Sequence, residues 1–271
     1  MDGDLENIFE VTFLGTNGSC AYNNGKRQKY GSNTPCVVVR AGDETLVFDA
    51  GTGICGLSKL PEYQRDNIRL FFSHYHMDHI DGLLFCSELF DPKKTFDIYG
   101  FGDVSGILGG IISQPLSPVS LEAFKATTNF HSISFGEKIK LSGDITVSTC
   151  NLSHPGDALG YKVEYDGKVF CYCDDVELKS HQNDDVLKEF TRNADLLVLD
   201  SAFADGKVIT GWGHSSPSEC AQWAKEVNAK KMALYHYSYL MTDDEIDGME
   251  KSAQRIYPEA FAATDGMRVL L

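Results

Sequence analysis

The sequence lacks the features that mark membrane-spanning and secreted chains. It contains no apolar run of the roughly 20 residues that a helix needs to cross a bilayer. Residues 1–7 are acidic and polar, and no basic-then-apolar signal pattern follows them. We therefore expect a cytoplasmic protein that makes no membrane contact.

Cysteine pairs and runs of basic residues are also missing. The 8 cysteines include no C-x-x-C pair, which argues against a disulfide framework. The densest basic stretch is the short segment 26–29, and the net charge is -15. Because such a surface repels a polyanion, we expect no large nucleic acid, and in particular no tRNA, as a partner. A small-molecule phosphodiester is compatible with this charge. A homodimer is also possible.

Histidine is scarce, with 8 residues in 271, yet three histidines fall within six positions. His74, His76 and His79, together with Asp78, follow the apolar, strand-like run 68–72. Imidazole and carboxylate groups suit zinc, manganese or iron. In an extended segment His74 and His76 point to the same side and can share one ion. The cluster therefore predicts a metal site at the carboxyl edge of a sheet, where open sheets usually bind ligands.

The pattern His-x-His-x-Asp-His resembles that of the metallo-β-lactamase superfamily of binuclear metallohydrolases. The resemblance implies an α/β (α+β) fold, a four-layer αββα sandwich in which helices flank two mixed β-sheets. It also implies two divalent metal ions, zinc or manganese, at one edge. The length predicts a single domain over residues 1–271. Asp49, which follows a short strand, is expected to orient the histidine loop, with a plain turn residue as the alternative.

Later strand ends carry further candidate ligands. His154 stands in a His-Pro-Gly loop after the strand 145–150, and His236 ends the apolar run 231–235. An Asp-Gly turn joins two strands into a hairpin, which ends at Asp174 and Asp175. Tyr-x-x-Asp-x-Glu over residues 172–177 is similar to the branch that holds ribonuclease Z-like and cyclic-phosphate phosphodiesterase-like proteins.

This resemblance implies a complete ligand set. One ion would be held by His74, His76 and His154, and the other by Asp78, His79 and His236. Asp175 would bridge the two ions. Asp174 is the alternative, because strand alternation sends adjacent carboxylates to opposite faces and lets only one of them bridge.

His214 lies just before a predicted helix start, the capping box Ser216–Glu219. Free backbone N–H groups at a helix start favour an anion. His214 is therefore expected to hold a phosphate or to act as a general acid, and it forms the catalytic set together with Asp78. The alternative is a histidine that only caps or packs.

Three functions compete. The first is a binuclear metal-dependent phosphodiesterase on a small or cyclic phosphodiester, with a metal-bridging hydroxide as the nucleophile. The second is an acyl or thioester hydrolase of the glyoxalase or lactamase type. The third is a metal-binding sensor that hydrolyses nothing.

Overall fold

The computed structural model describes residues 8–23, 25–63, 65–179 and 184–271. The strands in its first half are β1 Phe9–Gly15, β2 Asn17–Gly18, β3 Cys36–Ala41, β4 Glu44–Phe48, β5 Asn67–Phe71, β6 Thr95–Phe101, β7 Thr127–Ile133 and β8 Lys138–Lys140. Those in its second half are β9 Thr146–Leu152, β10 Ala158–Tyr165, β11 Lys168–Cys173, β12 Leu196–Asp200, β13 Met232–Tyr235, β14 Tyr237–Ser238, β15 Ala260–Ala262 and β16 Arg268–Leu270. The helices are α1 Val104–Ile111, α2 Asp184–Thr191, α3 Pro217–Glu226 and α4 Asp243–Gln254.

Two seven-stranded mixed sheets form the centre of the molecule. The first has the order β16-β1-β3-β4-β5-β6-β7, and the second has the order β15-β13-β12-β11-β10-β9-β8. In the first sheet β4 to β7 are parallel, and in the second β11, β12, β13 and β15 are parallel. A short parallel pair, β2 with β14, links the edges next to the candidate site.

Alternating apolar side chains pack each sheet on both faces. On β3, Val37 and Val39 enter the core between the sheets, whereas Cys36 and Val38 face the outer layer. Phe48 lies at the middle of the inner core, with the rings of Phe71 and Tyr161 within 5.4 Å of its own. One outer layer packs α1 and short 3-10 turns on the first sheet, and the other packs α2, α3 and α4 on the second. The predicted αββα sandwich is confirmed.

Local signals fix the elements that lead to the candidate site. Asp166 and Gly167 both adopt positive φ, 47° and 69°, which a tight hairpin turn between β10 and β11 requires. Capping boxes begin α3 at Ser216 and α4 at Thr242, as predicted. No helix among the described residues is both long and apolar enough to cross a bilayer.

Candidate metal centre

The ends of strands from both sheets meet at one edge of the sandwich. Parallel strands of one sheet present their carboxyl ends to the same edge, and here two such edges face each other. The residues at these ends are Asp49 after β4, His74–His79 after β5, His154 after β9, Asp174 and Asp175 after β11, Asp200 at the end of β12 and His236 after β13.

The predicted ligands form two overlapping groups. The first group consists of His74, His76, His154 and Asp175, and its ligand atoms all lie within 4.8 Å of one another. The second group, which meets the same limit, consists of His79, Asp174, Asp175 and His236. Asp78 lies beside the second group, with Oδ2 3.2 Å from His236 Nε2 and 3.6 Å from His79 Nε2. All seven residues predicted as ligands therefore lie in one place.

Asp175 is the residue that the two groups share. Its Oδ2 lies 3.1 Å from His74 Nε2 and 3.2 Å from His79 Nε2. Its Oδ1 lies 3.1 Å from His236 Nε2. One carboxylate thus contacts imidazoles of both groups through its two oxygens, which is the arrangement that a bridging ligand requires.

The ligand atoms of this cluster are suited to binding metal ions, and hydrogen bonds within the cluster do not satisfy all of them. Among the buried side-chain atoms without a hydrogen bond in the described part of the chain are three ligand atoms of this cluster, namely His74 Nε2, His79 Nε2 and Asp175 Oδ1. Buried polar atoms are normally satisfied, so orphaned ligand atoms facing one centre indicate an absent partner. Histidine nitrogens and carboxylate oxygens are ligands for zinc and manganese.

Hydrogen bonds at Nδ1 orient the imidazole rings of His79 and His154. Asp49 Oδ2 lies 2.9 Å from His79 Nδ1 and accepts a 2.8 Å bond from Ser73 Oγ. His154 Nδ1 lies 3.1 Å from the carbonyl oxygen of Gly213. A proton held at Nδ1 leaves the Nε2 lone pair free for a metal. Asp49 thus occupies the orienting position that we predicted for it.

Three residues of the site have left-handed backbones. The φ angles are 61° at Asp49, 49° at Asp175 and 59° at His236. None of them is glycine, so each conformation costs on the order of 1–3 kcal/mol, and such strain concentrates at functional sites. The turn at each strand end directs the side chain toward the centre.

The argument from strand alternation at Asp174 and Asp175 fails. β11 ends at Cys173, so both aspartates lie beyond the pleated strand. Both carboxylates then approach the second group, although Asp174 also accepts a 3.1 Å bond from Tyr172 Oη and one from the backbone N–H of Asp175. Burial raises the pKa of Asp174 to about 8. Asp174 is therefore tied into the protein more tightly than Asp175 is.

His214 forms a pair that the sequence did not reveal. Its Nδ1 lies 2.6 Å from Asp200 Oδ2, and its ring stacks on that of His236 at 5.3 Å. A third group with ligand-type atoms within 4.8 Å consists of Asp175, Asp200, His214 and His236. Asp200 had no role in our prediction, and its only signal was a polar residue at the end of the buried run Leu196–Leu199.

Charge states in the centre follow from burial and from the nearby carboxylates. Burial lowers the pKa of His74 and of His154 to about 4, so both are neutral imidazoles near pH 7. Burial opposes a charge on His214, yet Asp200 raises the pKa of this histidine above its usual value. Neutral imidazoles bind metals, whereas a protonated imidazole donates to an anion.

Comparison with known proteins gives relatives over nearly the whole chain. A ribonuclease Z of Methanosarcina acetivorans is 26% identical over 313 aligned positions, which cover 97% of this chain and 98% of the relative. The structure of human tRNase Z, short form, has a TM-score of 0.69 and 23% identity, with 96% and 98% of the two chains covered. A diphosphatase from the PhnP family has a TM-score of 0.71 and 18% identity, with 97% of each chain covered.

These relatives correct our expectation that no large nucleic acid is a partner. The first is named as a ribonuclease and the second as a tRNase, so the expectation is wrong. Our argument failed because the net charge of -15 is a sum over the whole chain. A phosphate responds mainly to the charges within about 10 Å of it, and the sum over the whole chain does not describe that local set.

The match to a family model covers most of the site. Residues 44–237 match the model described as "Beta-lactamase superfamily domain". This range includes every predicted ligand from His74 to His236 and accounts for more than half of the chain. The chain therefore belongs to the metallo-β-lactamase superfamily, as its histidine motif predicted.

Proposed function

We propose that this protein is a binuclear metal-dependent phosphodiesterase. The observation that carries the proposal is the position of Asp175, whose two oxygens contact imidazoles of both ligand groups. Superfamily membership and the ribonuclease names of the relatives confirm the broader class, a metal-dependent hydrolase of phosphodiesters. Zinc or manganese as the metal, cytoplasmic location and a single domain over residues 1–271 belong to the same proposal.

The side chains divide the work of binding the metals. His74, His76 and His154 would hold one ion, and Asp78, His79 and His236 the other, with Asp175 between them. When bound, two such ions supply Lewis-acid activation of water and neutralise the charge of a phosphate. Asp49, at His79 Nδ1, keeps the ring in the orientation that places Nε2 beside Asp175.

His214 would contact the substrate. Its Nδ1 is paired with Asp200, so the remaining nitrogen, Nε2, can donate a proton to a phosphate oxygen or to the leaving oxygen. Asp200 stabilises the protonated ring during this step. Asp78 lies next to His236, which stacks on His214. Its Oδ2 contacts His236 Nε2 and accepts a 2.7 Å hydrogen bond from the backbone N–H of Ser19.

We propose a phosphodiester as the substrate, and the experiment below compares small phosphodiesters with RNA. Small or cyclic phosphodiesters remain our finer prediction, and the diphosphatase among the neighbours is compatible with them. The ribonuclease relatives add RNA to the substrates that must be tested.

The test is a turnover panel on protein with a measured metal content. We expect hydrolysis of bis(p-nitrophenyl) phosphate, and of either a 2′,3′-cyclic nucleotide or a precursor tRNA. Little release is expected from p-nitrophenyl phosphate, a monoester. Two bound metals with no turnover of any phosphodiester would refute the proposal.

A His214 variant distinguishes the phosphodiesterase from the alternative, an acyl or thioester hydrolase. A phosphodiesterase that uses His214 should lose about 100-fold in kcat in His214→Ala. A thioesterase with the same metals should keep its activity on S-lactoylglutathione in that variant. A metal-binding sensor would turn over neither class of substrate.

A further inference from the structure

Glu177 is a buried carboxylate that lies two residues after Asp175 and is not one of the predicted ligands. Only 8% of its surface is exposed. Burial of a carboxylate is costly unless cations or hydrogen-bond donors compensate its charge. Lys179, two residues further along the chain, pairs with Glu219 instead. The donors that compensate Glu177 are backbone N–H groups of a neighbouring loop.

These donors belong to the loop 211–213, which leads to His214. Glu177 Oε2 accepts hydrogen bonds from the backbone N–H of Gly211 at 2.7 Å and from that of Gly213 at 3.3 Å. Both glycines have left-handed backbones, with φ angles of 83° and 81°. Turns of this kind direct N–H groups into a concavity that binds an anion. One oxygen of Glu177 therefore holds the loop at two points.

The loop 211–213 determines the positions of two histidines of the site. The carbonyl oxygen of Gly213 lies 3.1 Å from His154 Nδ1. His214 follows Gly213 directly, and its Nδ1 lies 2.6 Å from Asp200 Oδ2. A shift of the loop would therefore move both the carbonyl that orients His154 and the backbone that carries His214.

Further hydrogen bonds fix the segment around Glu177. Its backbone N–H donates to the carbonyl of Ser153, the residue before a predicted ligand, at 3.0 Å. Ser215 Oγ donates to the carbonyl of Val176 at 2.7 Å and accepts a 3.0 Å bond from the backbone N–H of Leu178. Because the residues on both sides of Glu177 are held, its carboxylate has a defined position from which it holds the loop.

We propose that Glu177 is a positioning residue, which places His154 for metal binding and His214 for the substrate by holding the loop 211–213. The inference rests on the proposed function for the roles of the two histidines. Both N–H bonds go to the same oxygen, so the role requires an acceptor at that point and not a negative charge. The amide oxygen of glutamine is such an acceptor, whereas methionine has a similar size and offers only a weakly accepting sulfur.

Metal titration of Glu177→Met and Glu177→Gln tests the effect on His154. Without the acceptor the loop is released, so we expect Glu177→Met to bind the ion at His154 about tenfold more weakly and the other ion as wild type does. Glu177→Gln should bind both ions with affinities close to those of the wild type. Competition with a chromophoric chelator measures the two binding steps. Glu137→Met is the control and should match the wild type, because Glu137 accepts a 2.8 Å bond from the backbone N–H of Ser134 in a turn outside the ligand segments.

A double-variant cycle in metal-saturated protein tests the effect on His214. Glu177→Met should lower kcat on bis(p-nitrophenyl) phosphate about tenfold in the wild-type background, because His214 is displaced. The same change should cost little in the His214→Ala background, since the side chain that Glu177 positions is then absent. Glu177→Gln should restore most of the wild-type kcat. Losses that multiply in the double variant would overturn the role of Glu177 toward His214.

The titration needs no turnover, so the failure of each claim can be recognised separately. Wild-type protein that hydrolyses no phosphodiester refutes the proposed function, and the titration still decides the role of Glu177. Equal metal affinities in Glu177→Met and wild type, or equal losses in Glu177→Met and Glu177→Gln, would overturn the positioning role and leave the phosphodiesterase in place. Urea unfolding shows whether Glu177→Met is folded. If it is not, Glu177→Ala, which leaves room for water at the two N–H groups, replaces it with the same expected direction of change.

Discussion

At the scale of single residues, the proposed metal centre depends most on Asp175. Its carboxylate is nearly inaccessible to solvent, it is held in a left-handed backbone, and its oxygens face imidazoles on both sides. A buried carboxylate in this position is stable only when cations or donors compensate its charge.

Asp175→Asn tests the bridging role. An amide cannot hold two cations as a carboxylate does, so we expect at least one metal ion to be lost, with an activity loss of about 100-fold or more. The measurement is metal content by mass spectrometry with phosphodiesterase turnover. Asp174→Asn is the matched control, because it changes the adjacent aspartate, which is held by Tyr172. Loss of metal from the Asp174 variant alone would assign the bridge to Asp174.

The pair of His214 and Asp200 should behave as one unit. His214→Ala and Asp200→Asn are each expected to lower kcat by about 10²-fold, since Asp200 acts only by holding and charging the ring. The double variant should be no worse than His214→Ala, because residues that act together are not additive. Losses that multiply in the double variant would mean that Asp200 acts independently of His214.

The residues that the sequence did reveal differ from Asp200 in a physical way. His74, His76, Asp78 and His79 fall within six positions of the chain, so the local pattern shows the site. Asp200 meets His214 across 14 positions and follows an ordinary buried strand, which leaves no local mark. The partner of such a residue is set by the packing of β12 against α3, which a single sequence does not display.

At the scale of elements, the loop before α3 supports the metal centre. The carbonyl of Gly213 accepts a bond from His154, and Gly213 has a φ of 81°. A Cβ at this position would lie 2.2 Å from His154 Nδ1. Only glycine allows the loop to approach the histidine this closely.

Gly213→Ala and Gly211→Ala form a matched pair of variants. Gly211 has the same left-handed backbone, with a φ of 83°, but a Cβ there would meet no atom within 4 Å. We expect Gly211→Ala to lower the free energy of unfolding by about 1 kcal/mol, from backbone strain alone. Gly213→Ala should lower it further and should also weaken metal binding by displacing His154. Urea unfolding and metal titration measure both effects, and equal behaviour of the two variants would contradict this role for Gly213.

The elements that could be predicted are those with local signals. The Asp166-Gly167 turn and the two capping boxes depend on residues within four positions of one another. The loop between β2 and β3 could be recognised only as long and polar. Its attachment to Asp265, through the backbone N–H groups of Ser32 and Asn33, spans more than 230 positions and arises from tertiary packing.

At the scale of the whole molecule, the metal centre joins the two sheets. The segment after β5 in the first sheet contributes four of the predicted ligands, and strand ends of the second sheet contribute His154, Asp175 and His236. Metal ions held by ligands from both sheets would therefore bind the folded protein and would not bind the separated sheets. The overall charge, which misled us about nucleic acid, says little about this local site.

Removal of metal should lower the stability of the entire fold. A ligand that binds only the native state at 100 times its Kd stabilises that state by about 2.7 kcal/mol. We expect the chelated protein to melt at a lower temperature, and added zinc or manganese to restore the melting temperature. The Asp175→Asn variant is the control and should respond less. Equal melting temperatures with and without chelator would show that the centre does not link the sheets.

The most direct test of the metal centre is anomalous diffraction from crystals of the metal-loaded protein, recorded above and below the absorption edge of the metal. The account predicts two peaks about 3.5–4 Å apart. One peak should lie among His74, His76 and His154, the other among Asp78, His79 and His236, and Asp175 should lie between them. A metal-loaded protein with no peak at this edge of the sandwich, or with its peaks elsewhere, would contradict the account.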